Sequence, residues 1–128
     1  MSGPRVRVLT PADAEAVREL RLEGLRLSPE NFGSAWEEEA PQPLSWWRAR
    51  LGGPACSLGA ECDGELSGMV VVSLNSRMKR AHVGDIGAVY VRERFRRQGV
   101  AATLMQSAME WLRSKGAHAA TLTVSAGN

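Results

Sequence analysis

Charged and aliphatic side chains alternate from Arg5 to Leu9, the period of a short strand with one buried face. Thr10-Pro11-Ala12-Asp13 then reads as a helix start. It has a capping hydroxyl, a proline suited to the first helical position and a carboxylate three residues after the cap. From there the period is that of a helix. Ala16, Val17, Leu20, Gly24 and Leu27 form an apolar stripe, with Arg18, Glu19 and Glu23 towards water, which predicts a helix ending near Leu27. Ser28 to Gln42 has no period and is broken by Ser28-Pro29, Asn31-Phe32-Gly33 and Pro41-Gln42-Pro43. It reads as a loop or a short helical turn. Leu44 to Leu51 predicts a second short helix, with Trp46, Trp47 and Leu51 available to pack and Gly52-Gly53-Pro54 to end it.

The second half returns to strands. Cys56–Cys62 and Glu65–Leu74 flank Asp63-Gly64, a strong hairpin sequence. The run Met69 to Val72 suits a central strand buried on both faces. Asn75 to Ala81 is a basic connector, and His82 to Val91 is the next strand. After the Arg-rich turn Arg92 to Arg97, Ala101, Leu104, Met105, Ala108 and Leu112 recur at helical spacing. The helix runs from Val100 to Lys115, and Gly116 supplies its C-terminal cap. Ala119 to Val124 forms a last strand. The order is strand, helix, helix, hairpin, strand, helix, strand. It predicts an α/β (α+β) protein, a mixed and mostly antiparallel sheet flanked by helices, with its last two strands parallel through a right-handed crossover. Residues 1–128 form a single domain, in which 1–75 hold the N-terminal strand, two helices and hairpin and 82–128 the strand-loop-helix-strand.

Composition narrows the class. At 128 residues a second core has no room, and a hydrophobic fraction of 44% excludes intrinsic disorder. No apolar run nears the ~18 residues of a membrane span, and no secretory h-region follows Met1, so the expectation is a cytoplasmic protein away from membranes. Cys56 and Cys62 lie on one strand, about 20 Å apart, too far to pair. With two histidines and no Cys-x-x-Cys, no metal site is expected. Arg77, Lys79, Arg80, Arg92, Arg94, Arg96 and Arg97 cluster against only Asp85 and Glu93. Few aromatics interleave, no recognition motif is present and the net charge is only +2, which argues against nucleic acid.

One stretch carries chemistry. Asp85 to Val91 is an apolar strand, Arg92 to Phe95 a tight turn, and Arg96-Arg97-Gln98-Gly99-Val100-Ala101 opens a helix. The first turn of that helix has N–H groups with no intrahelical acceptor and a partial positive charge, a site for phosphate or pyrophosphate. Gly99 lets a ligand approach where a Cβ would intrude. The small Ala101 and Ala102 keep the mouth open, and Arg96 and Arg97 add charge. A Walker loop and a dinucleotide fingerprint are both absent.

Arg96-x-x-Gly99-x-Ala101 resembles the acyl-CoA pyrophosphate loop, Gln/Arg-x-x-Gly-x-Gly/Ala, of the GCN5-related N-acetyltransferase (GNAT) superfamily. The strand before it, the helix after it and the N-terminal element order follow the same family. The resemblance implies an acyl-CoA N-acyltransferase-like fold and an enzyme that transfers acetyl from acetyl-CoA to a primary amine of a small molecule or protein, without a metal. By the same resemblance, backbone amides of Arg97, Gln98, Gly99, Val100, Ala101 and Ala102 hold the pyrophosphate, with Arg96 beside them. Val89, Tyr90 and Val91 pair with the pantetheine arm, and the N–H groups of Val89 and Val91 polarise the thioester carbonyl. Asn128 stands where an asparagine contacts the cofactor.

A base must deprotonate the incoming ammonium. Asp85, eleven residues before Arg96, stands at the spacing of the general base in the histone-acetylating branch. It is one methylene shorter than that branch's glutamate, which favours action through a water. Glu61 or Glu65 could serve instead, and Asp85 could equally be a structural partner of the basic connector. Tyr90, the single tyrosine, is on the wrong element to reprotonate the thiolate. Glu37, Glu38 and Glu39 read either as a solvated turn or as an acidic rim that draws a cationic acceptor. The family fold continues past Asn128 with a helix and two strands, so the chain reads as C-terminally incomplete. That expectation has two consequences: an open edge at the last strand closed by a homodimer, and a rival reading as a CoA-binding module or inactive domain without turnover.

Overall fold

The computed structural model describes residues 4–29, 35–74, 83–117 and 119–122. Five strands form one sheet in chain order: β1 (Arg5–Val8), β2 (Cys56–Cys62), β3 (Glu65–Leu74), β4 (Val83–Val91) and β5 (Ala119–Leu122). The first three pairings are antiparallel, and β4 with β5 is parallel. Between β1 and β2 run α1 (Ala14–Leu27), α2 (Trp36–Glu39) and α3 (Leu44–Leu51), and α4 (Val100–Ser114) joins β4 to β5. This is the mixed, mostly antiparallel class that the sequence order predicts.

Turn chemistry sets the local geometry. Asp63 and Gly64 both have positive φ, 53° and 78°, the backbone that lets a two-residue loop match strand twist. The carboxylate of Asp13 accepts the N–H of Thr10 at 2.8 Å. The Arg7 guanidinium beside it holds that carboxyl down to about 2 and ties edge strand β1 to the start of α1. Gly116, at φ 85°, ends α4: Ala117 N–H donates to the Leu112 carbonyl and Gly116 N–H to that of Arg113, each at 3.0 Å.

The sheet has a core on each face. Leu58, Val70, Val72 and Ile86 pack against Leu104 and Ala108 of α4. Leu66, Met69 and Tyr90 pack against Val17 and Leu20 of α1 and Trp47 of α3. One expected stripe is rotated. Leu27 is 63% exposed, whereas Leu25 and Arg21 are buried on α1. Arg21 lies four residues after Val17, so it falls on the packed face and needs a partner there. Glu39 supplies it, accepting from Nε at 2.5 Å and from Nη2 at 2.9 Å.

Candidate active site

Strand β4 is irregular where the site forms. It pairs with β3 one to one at Gly68–Val91 and Met69–Tyr90, and again from Val71–Gly87 to Leu74–Gly84. Between these runs Val70 alone faces both Ala88 and Val89, so β4 carries a bulge. The side chains show the offset. Ile86 and Tyr90 would share a face of a regular strand, yet they sit in opposite cores. On its other edge β4 pairs with β5 over Val83–Ile86 among the described residues. From Gly87 to Val91 no described strand takes up that edge, which suits an extended ligand added as a strand. The family resemblance puts Val89, Tyr90 and Val91 on this stretch, and neither it nor the hydrophobic pattern shows the bulge. Gly87 inside the strand is the signal that could have found it.

Beyond β4 the chain is anchored before it turns. Arg92 donates from its backbone N–H to Ser67 at 2.8 Å, from Nε to the Leu66 carbonyl at 3.0 Å and from Nη1 to Glu23 at 2.6 Å. A 3-10 turn, Glu93–Phe95, buries Phe95. Arg96 folds back, donating from Nε to the Val91 carbonyl at 2.9 Å, with its guanidinium 5.6 Å from the Tyr90 ring centroid. Arg97 and Gly99 then take left-handed backbone, φ 66° and 80°, and α4 begins.

No side chain caps the N-terminus of α4. The Gly99 carbonyl is taken by Thr103, through N–H at 3.0 Å and Oγ1 at 2.8 Å. The N–H groups of Val100, Ala101 and Ala102 precede any intrahelical acceptor, and Ala101 and Ala102 are exposed. Their partial positive charge adds to the flanking Arg96 and Arg97 and to the helix dipole, an electrostatic setting that suits an anion. Gly99 also has a backbone reason to be glycine: its φ is 80°, and a Cβ there would meet no protein atom within 4 Å, so conformation and not crowding by the protein favours glycine.

Tyr90 turns away from the open edge. Its hydroxyl donates to Glu23 Oε2 at 2.8 Å, and burial together with that carboxylate pushes its pKa up to about 12. Asp85 is partly buried, opposite Ser73 on β3 and Thr121 on β5. Its neighbours Gly84 and Ile86 face α4, so strand alternation directs Asp85 to the other face, the side of α1 and α3. The alternative carboxylates are engaged elsewhere: Glu61 pairs with Arg7 at 3.3 Å and Glu65 pairs with Arg94.

The three acidic residues of α2 separate. Glu37 and Glu38 are exposed, but Glu39 is 3% exposed and is bridged to Arg21 and, at 3.3 Å, to Arg50. Glu39 therefore lies inside the fold, away from any exposed rim. The connector 75–82 and Asn128 lie outside the described residues. Among the described residues no cluster of His, Cys, Asp or Glu could hold a metal ion, and no helix is long and apolar enough to cross a membrane.

Comparison with known proteins places this geometry. L-amino acid N-acetyltransferase AaaT of Escherichia coli (strain K12) is 28% identical over 118 residues, covering 88% of this chain and 69% of that protein. Ribosomal-protein-alanine N-acetyltransferase from Brucella melitensis biovar Abortus 2308 superposes with a TM-score of 0.75 at 18% identity, covering 97% of this chain and 82% of that one. An aminoglycoside acetyltransferase from an uncultured soil metagenomic sample gives 0.75 at 21%, covering 96% and 80%. The two structural likenesses establish the fold. The model of the acetyltransferase (GNAT) family matches residues 16–128, a span that contains the bulged strand, the loop and α4. The chain belongs to the GNAT family and is an N-acetyltransferase of that family.

Proposed function

We propose that the chain transfers the acetyl group of acetyl-CoA to a primary amine by direct attack in a ternary complex. The observation that carries this is the juxtaposition of the bulged, open edge of β4 with the uncapped N-terminus of α4. Amides from Arg97 to Ala102 hold the pyrophosphate, and the main chain of Val89, Tyr90 and Val91 aligns the pantetheine arm. An N–H of Val89 or Val91 polarises the thioester carbonyl, where preorganised donors are most effective. The amine nitrogen bonds to the acetyl carbon and the C–S bond breaks. CoA leaves as a thiolate, and the proton lost by the nitrogen passes through a water to Asp85. Cys56 and Cys62 are free thiols, as suits a protein of the reducing cytoplasm. A homodimer formed on the edge of β5 that no described strand occupies completes the reading.

The test is acetyl-CoA-dependent thiol release with a panel of amines, on the wild type and on Asp85→Asn. General-base catalysis is worth about 10²–10⁴-fold, and the water relay places Asp85 at the lower end. Asp85→Asn is therefore expected to lower kcat by about 10²-fold, with the KM for acetyl-CoA unchanged. An unaltered kcat would remove Asp85 from the reaction. Tight CoA binding by calorimetry without thiol release from any amine would leave a binding module instead.

A further inference from the structure

A cavity of about 390 Å³ lies between α1, α3 and the β2–β3 face, away from the uncapped end of α4. Its size is that of small-molecule sites, which run from about 300 to 1,000 Å³. Its apolar wall is formed by Trp46, Trp47, Met69 and Val71. The charged residues that line it are arginines, Arg21 and Arg50. Arg21 is buried in its bidentate pair with Glu39. Arg50 is different: its side chain is 40% exposed and it reaches that same carboxylate at the longer distance of 3.3 Å. Its guanidinium stacks 4.9 Å from the Trp46 ring centroid and 6.0 Å from that of Trp47. Burial and the neighbouring Arg21 push the Arg50 pKa down and Glu39 works against them, so a further anion beside Arg50 would favour its charged form. Trp47 is 1% exposed, and its indole N–H is buried without a hydrogen-bond partner among the described residues. A buried donor of that kind is costly to leave unmade.

The cavity is placed beside the chemistry. Met69 and Val71 pair across the sheet with Tyr90 and Gly87, the residues that bracket the bulge. Neighbouring strands are about 4.8 Å apart, so a molecule in the cavity stands one strand from the bulge. Asp85 is directed to the same face.

We propose that this cavity receives an acceptor carrying an apolar side chain and a free carboxylate, with Trp46, Trp47, Met69 and Val71 around the side chain and Arg50 holding the carboxylate at the mouth. In an α-amino acid, the form of this acceptor that we propose, the amine and the carboxylate share one carbon. Fixing the other two groups therefore directs the nitrogen, and β4 is the adjacent strand. Arginine suits the role because its planar fork matches a carboxylate. Charge selects against a polyamine or an aminoglycoside, whose ammonium groups would meet Arg50. The assignment as an acceptor rests on the acetyl-transfer reading; the binding of a carboxylate does not.

The experiment compares L-leucine and L-phenylalanine with their amides and with spermidine, as acceptors for the full chain. A hydrogen bond between charged groups is worth about 10- to 100-fold. The free acids should have a KM lower than the amides by that factor. Arg50→Gln should raise the KM for L-leucine by about 10-fold or more, with little change in kcat or in the KM for the amide, and Arg50→Lys should restore part of it. Trp46→Ala should raise both KM values and leave the acid-to-amide ratio intact. A second readout needs no turnover: N-acetyl-L-leucine should quench tryptophan fluorescence in the wild type and fail to do so in Arg50→Gln. Amides or spermidine used as well as the free acids, or quenching indifferent to Arg50, would overturn the proposal. Arg50-dependent quenching without acetylation of any amine would instead uphold the pocket and defeat the transfer reading.

Discussion

Tyr90 shows how much one side chain does between the two halves of the fold. It reaches from β4 to Glu23 on α1, and Glu23 in turn holds Arg92 at the start of the loop. Its pKa, pushed up to about 12 from an ordinary 10, makes the bond a source of stability that depends on pH. That contribution is complete below pH 10 and is lost as the pH rises towards 12. As the only tyrosine, Tyr90 can be titrated by tyrosinate absorbance without interference. We expect a midpoint near 12. Tyr90→Phe should cost about 1–3 kcal/mol in urea denaturation at pH 8 and flatten the loss of stability at higher pH. A wild-type midpoint at the ordinary value would show that the bond is not made. None of this is legible in the sequence, where Glu23 reads as a solvent-facing helix residue. Arg21 escapes notice likewise, since its charge disguises a position that helical spacing puts on the packed face, and its partner Glu39 is 18 residues away.

Elements defined by local chemistry are the ones that pattern reading finds. Leu44–Leu51, Cys56–Cys62 and Glu65–Leu74 stand as expected, because helix ends and the Asp63-Gly64 turn are encoded within a few residues. The bulge in β4 is a matter of register against another strand, and a single chain segment does not display register. The seat of α4 on the sheet is equally non-local. A Cβ on Gly84 would lie 2.1 Å from Leu112 Cδ2, so the helix sits against bare backbone there. Gly84→Ala should destabilise by about 1–3 kcal/mol through overpacking, and Leu112→Ala by about 2–5 kcal/mol through the cavity it leaves. In the double variant the added methyl occupies part of the space that the leucine vacates, so the combined loss should fall below the sum of the single losses. Chemical denaturation of all four forms checks this. Strict additivity would mean that the two residues do not share that space.

At the scale of the molecule, strand order equals chain order, and the sequence carries that much through its hairpin and its one crossover. What closes the sheet is less local. Among the described residues β5 pairs with β4 alone, and β1, at the other edge, carries Arg5 and Arg7. Charges of that kind discourage edge pairing, so the proposed homodimer would form at β5 rather than at β1. Sedimentation equilibrium should give twice the 13.9 kDa of the chain, and a species of 13.9 kDa would rule the dimer out. The bulge also has a consequence for the molecule as a whole. It is a half-period phase step set between two stretches of one strand. Ahead of it the even-numbered positions, Gly84 and Ile86, face the α4 layer; after it the odd-numbered Val89 and Val91 go there, and Tyr90 is released to α1. Deleting one residue at Ala88 or Val89 would remove the step and leave both flanking stretches on their present faces, with Tyr90 still towards α1. A strand of unchanged length drawn flat would instead drive the phenol into the aliphatic layer and turn Val91 out of it. The extra residue is thus what keeps inside and outside in their places along the approach to the loop.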